Sequence, residues 1–325
     1  MCPLAAARPG PRSSMEPRAT RLLRRPRLLI VGCGDVGLRV LRLLRGRWRV
    51  LAVTSSPPRR ALLRAAGATP LLADLDRPAT LARLARLADA VLHLAPPPAH
   101  GTHDARTAAL LSALARGGLQ RLVYASTSGV YGDCAGARVP ETRALNPATD
   151  RARRRADAEA RVRALGRTGR VRATILRVPG IYALDRDGGD PRERVRRGAP
   201  ALVARDDVFT NHIHADDLAH ACVAALLRGP TMRAINVADD DTAPLGEYLD
   251  RVADRCALPR VPRLTREQAA AVLSPLQMSF LGESRRLDNT RMKRELRVAL
   301  RYPSVEAALD ALVRPVPEAA AERGA

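Results

Sequence analysis

The sequence predicts an α/β protein: a doubly wound parallel sheet of Rossmann-like form with a small C-terminal substrate lobe. Short apolar runs alternate with segments of helical periodicity from Pro26 onward, the pattern of strands crossed over by helices. The first apolar run leads directly into glycines spaced GxGxxG at the start of a helical pattern. Hydrophobic residues make up 46 % of the 325, enough for a packed core, yet no apolar run approaches the roughly 20 residues that span a bilayer.

The elements follow in order. Leu28 to Val31 read as a short buried strand, and a helix is expected from Val36 through Leu44. Between them, Gly32 serves the tight turn, Gly34 lets backbone approach a pyrophosphate, and Gly37 lets helix pack on strand. Asp35 and Val36 open the helix, whose free amides suit an anion. "WRVLAVT" forms the second strand and ends at Thr54. An acidic residue there would bind ribose hydroxyls and favour NAD; this chain has Thr54, Ser55 and Ser56, then Arg59 and Arg60. Hydroxyls and guanidinium groups suit a 2′-phosphate, so NADP is favoured over NAD.

"TPLLADL" is the third strand, followed by a helix around Leu81 to Leu87 and a fourth strand, "ADAVLHLA". Asp74 is placed to meet the adenine, and Leu94 and Ala95 begin a stiff proline loop at the ligand-binding edge of the sheet. A helix from Arg106 to Arg116 precedes the fifth strand, "RLVYAST". "HGTHD" has metal-like residue types, but a polar loop or helix start is the better reading, and no metal is expected.

The net charge of +22 would ordinarily suggest nucleic acid. Here Lys293 is the only lysine, the arginines run the whole length, and aromatics are 2 %, too few for a base-stacking platform. That pattern reads as codon bias, and no nucleic-acid or membrane partner is expected. Five widely spaced cysteines without a CxxC suit a reducing cytoplasm. Residues 1–25 read as a flexible arginine-rich tail and 314–325 as a second tail. The substrate lobe falls mainly at 183–207 and 241–292, and the protein as a monomer or homodimer.

At "VYASTSGVYGD", "ILRVPGIY" and "NHIHADDLA" the chain resembles the extended short-chain dehydrogenase/reductase superfamily, in particular its NAD-dependent epimerase/dehydratase family, in an atypical GxGxxG form. The resemblance runs from about Pro26 to Val313. It implies an NAD(P)-binding oxidoreductase or epimerase acting on a small molecule, possibly a nucleotide sugar. It places Thr127 at the catalytic Ser/Thr position, Pro179 and Gly180 beside the nicotinamide, and Asn211, His214 and Asp216 in a motif closing the cofactor domain, where Asp216 or Asp217 could cap the next helix.

The family's YxxxK pair aligns with Arg151 and Arg155 of "PATDRARRRADAE". Arginine keeps its proton above about pH 12, so Arg151 cannot act as general base near neutrality, while Arg155 can hold ribose hydroxyls. Tyr131 and Tyr182 become the candidate proton donors by motif. The rest of that helix reads as a solvated face, with acid-to-base pairs Asp150–Arg154, Asp157–Arg161 and Glu159–Arg163. An NAD(P)H-binding sensor without turnover is the alternative.

Overall fold

The computed structural model describes residues 25–313, so both predicted tails lie outside the described residues. Its centre is a seven-stranded, all-parallel sheet whose strands run, from edge to edge, Thr69–Leu72, Arg49–Thr54, Arg27–Val31, Ala90–His93, Arg121–Thr127, Arg172–Val178 and Arg233–Asn236. In chain order these elements begin β1 (Arg27–Val31), α1 (Asp35–Leu44), β2 (Arg49–Thr54), α2 (Arg59–Ala65) and β3 (Thr69–Leu72). β4 (Ala90–His93), α3 (Ala105–Leu114) and β5 (Arg121–Thr127) follow. β6 (Arg138–Val139), α4 (Asp150–Arg167), β7 (Arg172–Val178) and β8 (Gly180–Tyr182) come next.

Parallel strands covered on both faces need continuous apolar sequence, which is why β1 reads RLLIV with four of its five residues buried. α1 and α6 (Ala215–Arg228) cover one face; α3 and α4 cover the other. The order reverses between β1 and β4, and the loops after these two strands meet there, at a topological switch point.

Two expected elements differ. The third strand stops at Leu72 rather than Leu75, and Pro70 is tolerated because β3 is an edge strand. The helix expected at Leu81 to Leu87 is a 3₁₀ stretch, Pro78–Leu84. Three residues per turn keep Leu81 and Leu84 on one side, and both are fully buried.

The second lobe is built from α5 (Pro191–Arg196), β9 (Ala201–Leu202), β10 (His212–His214), β11 (Arg233–Asn236), which itself belongs to the main sheet, and α7 (Leu245–Arg255). β12 (Arg263–Leu264), α8 (Arg266–Val272), α9 (Pro275–Phe280), β13 (Arg286–Leu287), α10 (Thr290–Glu295) and α11 (Val305–Val313) complete the chain. Two short parallel pairs, β8–β10 and β6–β13, tie it to the sheet domain, and a third, β9–β12, lies within the lobe. The lobe's apolar core also takes in Val305, Ala308 and Leu309 of α11, whereas Met292 packs into the core of the main sheet.

Candidate functional site

The glycine loop has the form a pyrophosphate needs. Gly32 has φ +84°, and a Cβ there would lie 2.4 Å from the Ala95 amide nitrogen, so only glycine fits. A Cβ on Gly34 would meet nothing within 4 Å, which leaves open space in front of the backbone. Gly34 is the N-cap of α1 and offers no side-chain cap to the first-turn amides of Asp35, Val36 and Gly37. A Cβ on Gly37 would press on the Cys33 side chain at 3.0 Å, so this glycine serves the packing of helix on strand.

The Asp35 carboxylate turns away from this space. It accepts from Arg39 Nε at 3.1 Å and from Arg186 at 2.6 Å, while Arg39 also grips Asp185 and Asp216, each at 2.6 Å. Arg39 is 4 % exposed, and these carboxylates hold its guanidinium charged despite that burial. The cluster fastens the turn after β8 and the start of α6 to the helix that carries the glycine loop. Its carboxylates face arginines rather than the open space at Gly34.

At the end of β2, the Thr54 hydroxyl accepts from the Ser56 amide at 3.2 Å, and Ser55 is exposed. Arg59 donates to the Cys33 carbonyl at 2.8 Å, bracing the glycine loop, while Arg60 is exposed at the start of α2. Asp74 sits half-buried past β3 and accepts from the Asp76 amide at 3.0 Å; Leu94 and Ala95 follow β4, with Ala95 against Gly32. Arg155 reaches across the carboxyl ends of β4 and β5. It donates to the Ala125 carbonyl at 2.9 Å, the Tyr124 hydroxyl at 3.1 Å and the Ala95 carbonyl at 3.5 Å.

Beside the ends of β5 and β7 opens a cavity of about 840 Å³ between the sheet domain and the second lobe. Thr127, Pro179 and Tyr182 line it, together with Arg151. The Thr127 oxygen accepts from the Gly129 amide at 3.2 Å. Arg151 is half-buried, with its guanidinium carbon 4.3 Å from the centre of the Phe280 ring. Burial acts to lower its pKa from the ordinary arginine value.

The two tyrosines expected as donors are engaged elsewhere. Tyr131 is 1 % exposed and does not line the cavity. Its hydroxyl donates to Asn236 Oδ1 and accepts from Arg177, both at 2.8 Å, inside a buried network. Tyr182 faces the cavity, but its hydroxyl donates to the Ser304 carbonyl at 3.1 Å, and burial with nearby carboxylates pushes its pKa far up. Tyr131→Phe is therefore expected to cost about 1–3 kcal/mol of stability, because Arg177 and Asn236 lose a buried partner. Ligand binding in the folded variant should be unchanged, as calorimetry beside thermal melting would show.

The solvated reading of α4 needs correction at three residues. Asp157–Arg161 is an exposed-side pair at 2.9 Å as expected, but Asp150 pairs with Arg153, and Arg154 is buried and donates to the Gly101 carbonyl. Glu159 is 1 % exposed and takes both ends of the Arg177 fork, at 3.0 and 2.7 Å, with Arg163 a looser 3.6 Å away. The α6 cap also differs: His214 accepts from the Asp216 amide, Asp216 serves Arg39, and Asp217 accepts from the amides of Arg301 and Tyr302. Asn211 bonds Arg285 and Leu287 backbone, closing the two domains together. Asp104 of "HGTHD" caps α3 through the Thr107 amide.

Sequence reading missed the far wall of the cavity: Arg194 on α5, His212 on β10, Tyr248 on α7 and Phe280 on α9. Nothing local marks them, since they meet only when the lobe folds back. His212 stacks on Tyr248 with centroids 4.0 Å apart, and burial holds its pKa down to about 4, so it is neutral near pH 7.

A glycine loop at the switch point of a doubly wound sheet, opening beside a cavity roofed by a second lobe, defines a protein of the Rossmann-like α/β class. The chain belongs to the NAD dependent epimerase/dehydratase family, whose pattern it matches over residues 28–238. It is similar to a functionally unknown conserved protein from Silicibacter pomeroyi DSS, with 29% identity and a TM-score of 0.73 over 89% of this chain and 98% of that one. A dTDP-glucose 4,6-dehydratase from Streptomyces venezuelae, solved with NAD and TYD bound, shares 20% identity at a TM-score of 0.72, over 88% and 96%. A UDP-glucuronic acid 4-epimerase from Bacillus cereus in complex with NAD shares 17% at 0.68, over 88% and 98%. No curated protein matches the chain. Among the described residues, no helix is long and apolar enough to cross a membrane.

Proposed function

We propose that the chain is an NADP-dependent oxidoreductase that works in the reductive direction on an anionic carbonyl compound. One observation carries the reading: the cavity presents Arg151 and Thr127, while neither expected tyrosine hydroxyl is free to exchange a proton there. The residues that would hold the dinucleotide are the amides after Gly34 for the pyrophosphate and Arg155 for ribose hydroxyls. Ser55, Arg59 and Arg60 supply hydroxyl and guanidinium groups for a 2′-phosphate, with Asp74 toward the adenine and Pro179 toward the nicotinamide.

A reduced nicotinamide supplies a hydride when bound. The chain's own task is then to stabilise negative charge growing on the ligand's carbonyl oxygen. Arg151 offers a permanent positive charge for this and Thr127 a hydroxyl hydrogen, an electrostatic role that needs no base. The proton that completes the alcohol comes from water. Oxidation of an alcohol needs a proton acceptor at that place, and arginine cannot be one. Epimerisation and dehydration both begin with such an oxidation, so they fit this site less well than carbonyl reduction. The nucleotide sugars named with the structural neighbours are anionic, and the cavity volume falls in the range of small-molecule sites.

Calorimetric titration should show NADPH binding more tightly than NADH. Arg60→Ala should weaken NADPH selectively by roughly tenfold or more, the worth of one charge-assisted hydrogen bond. Equal affinities would remove the phosphate role. Protein loaded with NADPH should consume it on addition of carbonyl compounds, without comparable NADP⁺ reduction by the matching alcohols at neutral pH. Fast alcohol oxidation would overturn the reductive reading. A second reading, a dinucleotide sensor without turnover, rests on the same sealed tyrosines, and bound NADPH inert to every carbonyl compound would select it.

A further inference from the structure

Three guanidinium groups that line the cavity, those of Arg151, Arg194 and Arg197, form no ion pair among the described residues, and of these Arg151 and Arg194 are half-buried. Arg151 forms no ion pair or side-chain hydrogen bond among the described residues; its guanidinium lies over the face of Phe280, with the charge of Glu283 acting on it through space. Stacking on an aromatic ring fixes the plane of a guanidinium and leaves its edge, with the N–H donors, free to point into the space beside it. Arg194 likewise has no carboxylate partner, and its Nε is fully buried with nothing to donate to. Burial acts to lower the pKa of both groups, an effect that the Glu283 carboxylate near Arg151 and the Asp207 carboxylate near Arg194 offset only in part.

The two carboxylates of the wall are already paired. Glu283 pairs with Arg285 at 2.7 Å and Asp190 with Arg192 at 2.7 Å, while Arg197 is exposed and donates to the Glu193 carbonyl. The positive charge left unpaired in the wall is that of Arg151, Arg194 and Arg197, and Arg197 is the one exposed to solvent. The wall also carries apolar and aromatic residues, including Leu249, Leu281 and Tyr248.

We propose that the cavity takes a 2-oxo diacid. Arg151 holds the 2-oxo carboxylate beside Thr127, and Arg194 takes the second acidic group across the cavity. A guanidinium edge carries two parallel donors, and in a 2-oxo acid one carboxylate oxygen and the neighbouring carbonyl oxygen can face the same way, matching that fork. One residue then both anchors the ligand and faces the oxygen on which charge develops in reduction. The assignment rests on the reductive reading above for its chemistry, but anion capture depends only on this chain's own residues.

The test is calorimetric titration of 2-oxoglutarate into the full chain, with and without NADPH, in low salt. Binding is expected in both conditions. It should weaken at least tenfold in Arg151→Gln and in Arg194→Gln, with partial recovery in Arg151→Lys, which restores charge without the fork. Pyruvate, with one carboxylate, should bind more weakly than 2-oxoglutarate to the parent and be insensitive to Arg194→Gln. Melting curves identify any variant that fails to fold, and Arg151→Lys and Arg194→Lys then carry the comparison. Absent binding of 2-oxoglutarate, affinity unchanged in both Gln variants, or tighter binding of UDP-glucose would each overturn the proposal. Failure of NADPH to bind while 2-oxoglutarate still binds would instead sink the NADP-dependent reading and leave this one standing.

Discussion

Gly34→Val abolishes dinucleotide binding while leaving the melting temperature within a few degrees of the parent's: that is the result the glycine loop leads us to expect. Gly34 has φ −83°, a conformation open to any L-residue, and a Cβ there meets no protein atom within 4 Å. The fold thus has no use for glycine at this position. The isopropyl group would fill the space in which a pyrophosphate reaches the first-turn amides of α1, so affinity should fall at least about 100-fold, ~2.8 kcal/mol. Gly32 gives the opposite outcome. Its φ of +84° and the 2.4 Å approach to Ala95 mean that Gly32→Ala forces the β1 and β4 loops apart, with loss of stability as well as binding. Calorimetry with NADPH and NADH, set beside thermal melting, separates the two glycines. Normal binding by Gly34→Val would reduce the motif to a turn.

The largest effect on stability is expected from Glu159→Ala. The substitution strands Arg177, 2 % exposed, which now gives its fork to Glu159 and a further bond to Tyr131. Breaking a buried pair from one side costs about 3–5 kcal/mol. For a chain of 325 residues, at about 2.1 cal/mol/K per residue, that lowers Tm by roughly 4–8 °C. Arg177→Met combined with Glu159→Leu removes both charges and should recover much of the loss, since the pair itself contributes little beyond mutual satisfaction. Asp157→Ala, two positions away on α4, breaks an ion pair with Arg161 whose arginine is 42 % exposed, and that bond should be worth no more than about 1 kcal/mol. Asp157 also accepts from the Asp104 amide at 2.9 Å, so an Arg161→Ala control isolates the surface pair. If Glu159→Ala melts with Arg161→Ala, the buried network carries no special weight.

These two residues show where sequence reading ended. Glu159 and Arg163 have the i, i+4 spacing of a solvated pair, and spacing cannot tell which turn of an amphipathic helix faces a neighbour. What decides it is Arg177, on the strand over which α4 packs, a residue whose own sequence neighbours are all apolar or small. The tyrosines teach the same lesson from the other side. Tyr131 and Tyr182 stand at the right distance in sequence from Thr127 and Pro179, but hydroxyl direction depends on Asn236 and Ser304, one hundred or more residues further on.

The glycine loop, the early alternation of strands and helices, and the two arginines, Arg151 and Arg155, in the first turns of α4 were all legible in the sequence. Each depends on local chemistry: backbone sterics at φ above zero, continuous apolar runs for strands covered on both faces, and a guanidinium that keeps its proton. The cavity was not legible. Its far wall brings Arg194, His212, Tyr248 and Phe280 from four separate elements to face Thr127, and no residue among them carries a local signal of that meeting. Burial and pairing are properties of the folded surroundings. Only the tertiary structure therefore decided that Arg177 is satisfied within the core, and that Arg151 and Arg194 line the cavity without an ion-pair partner among the described residues.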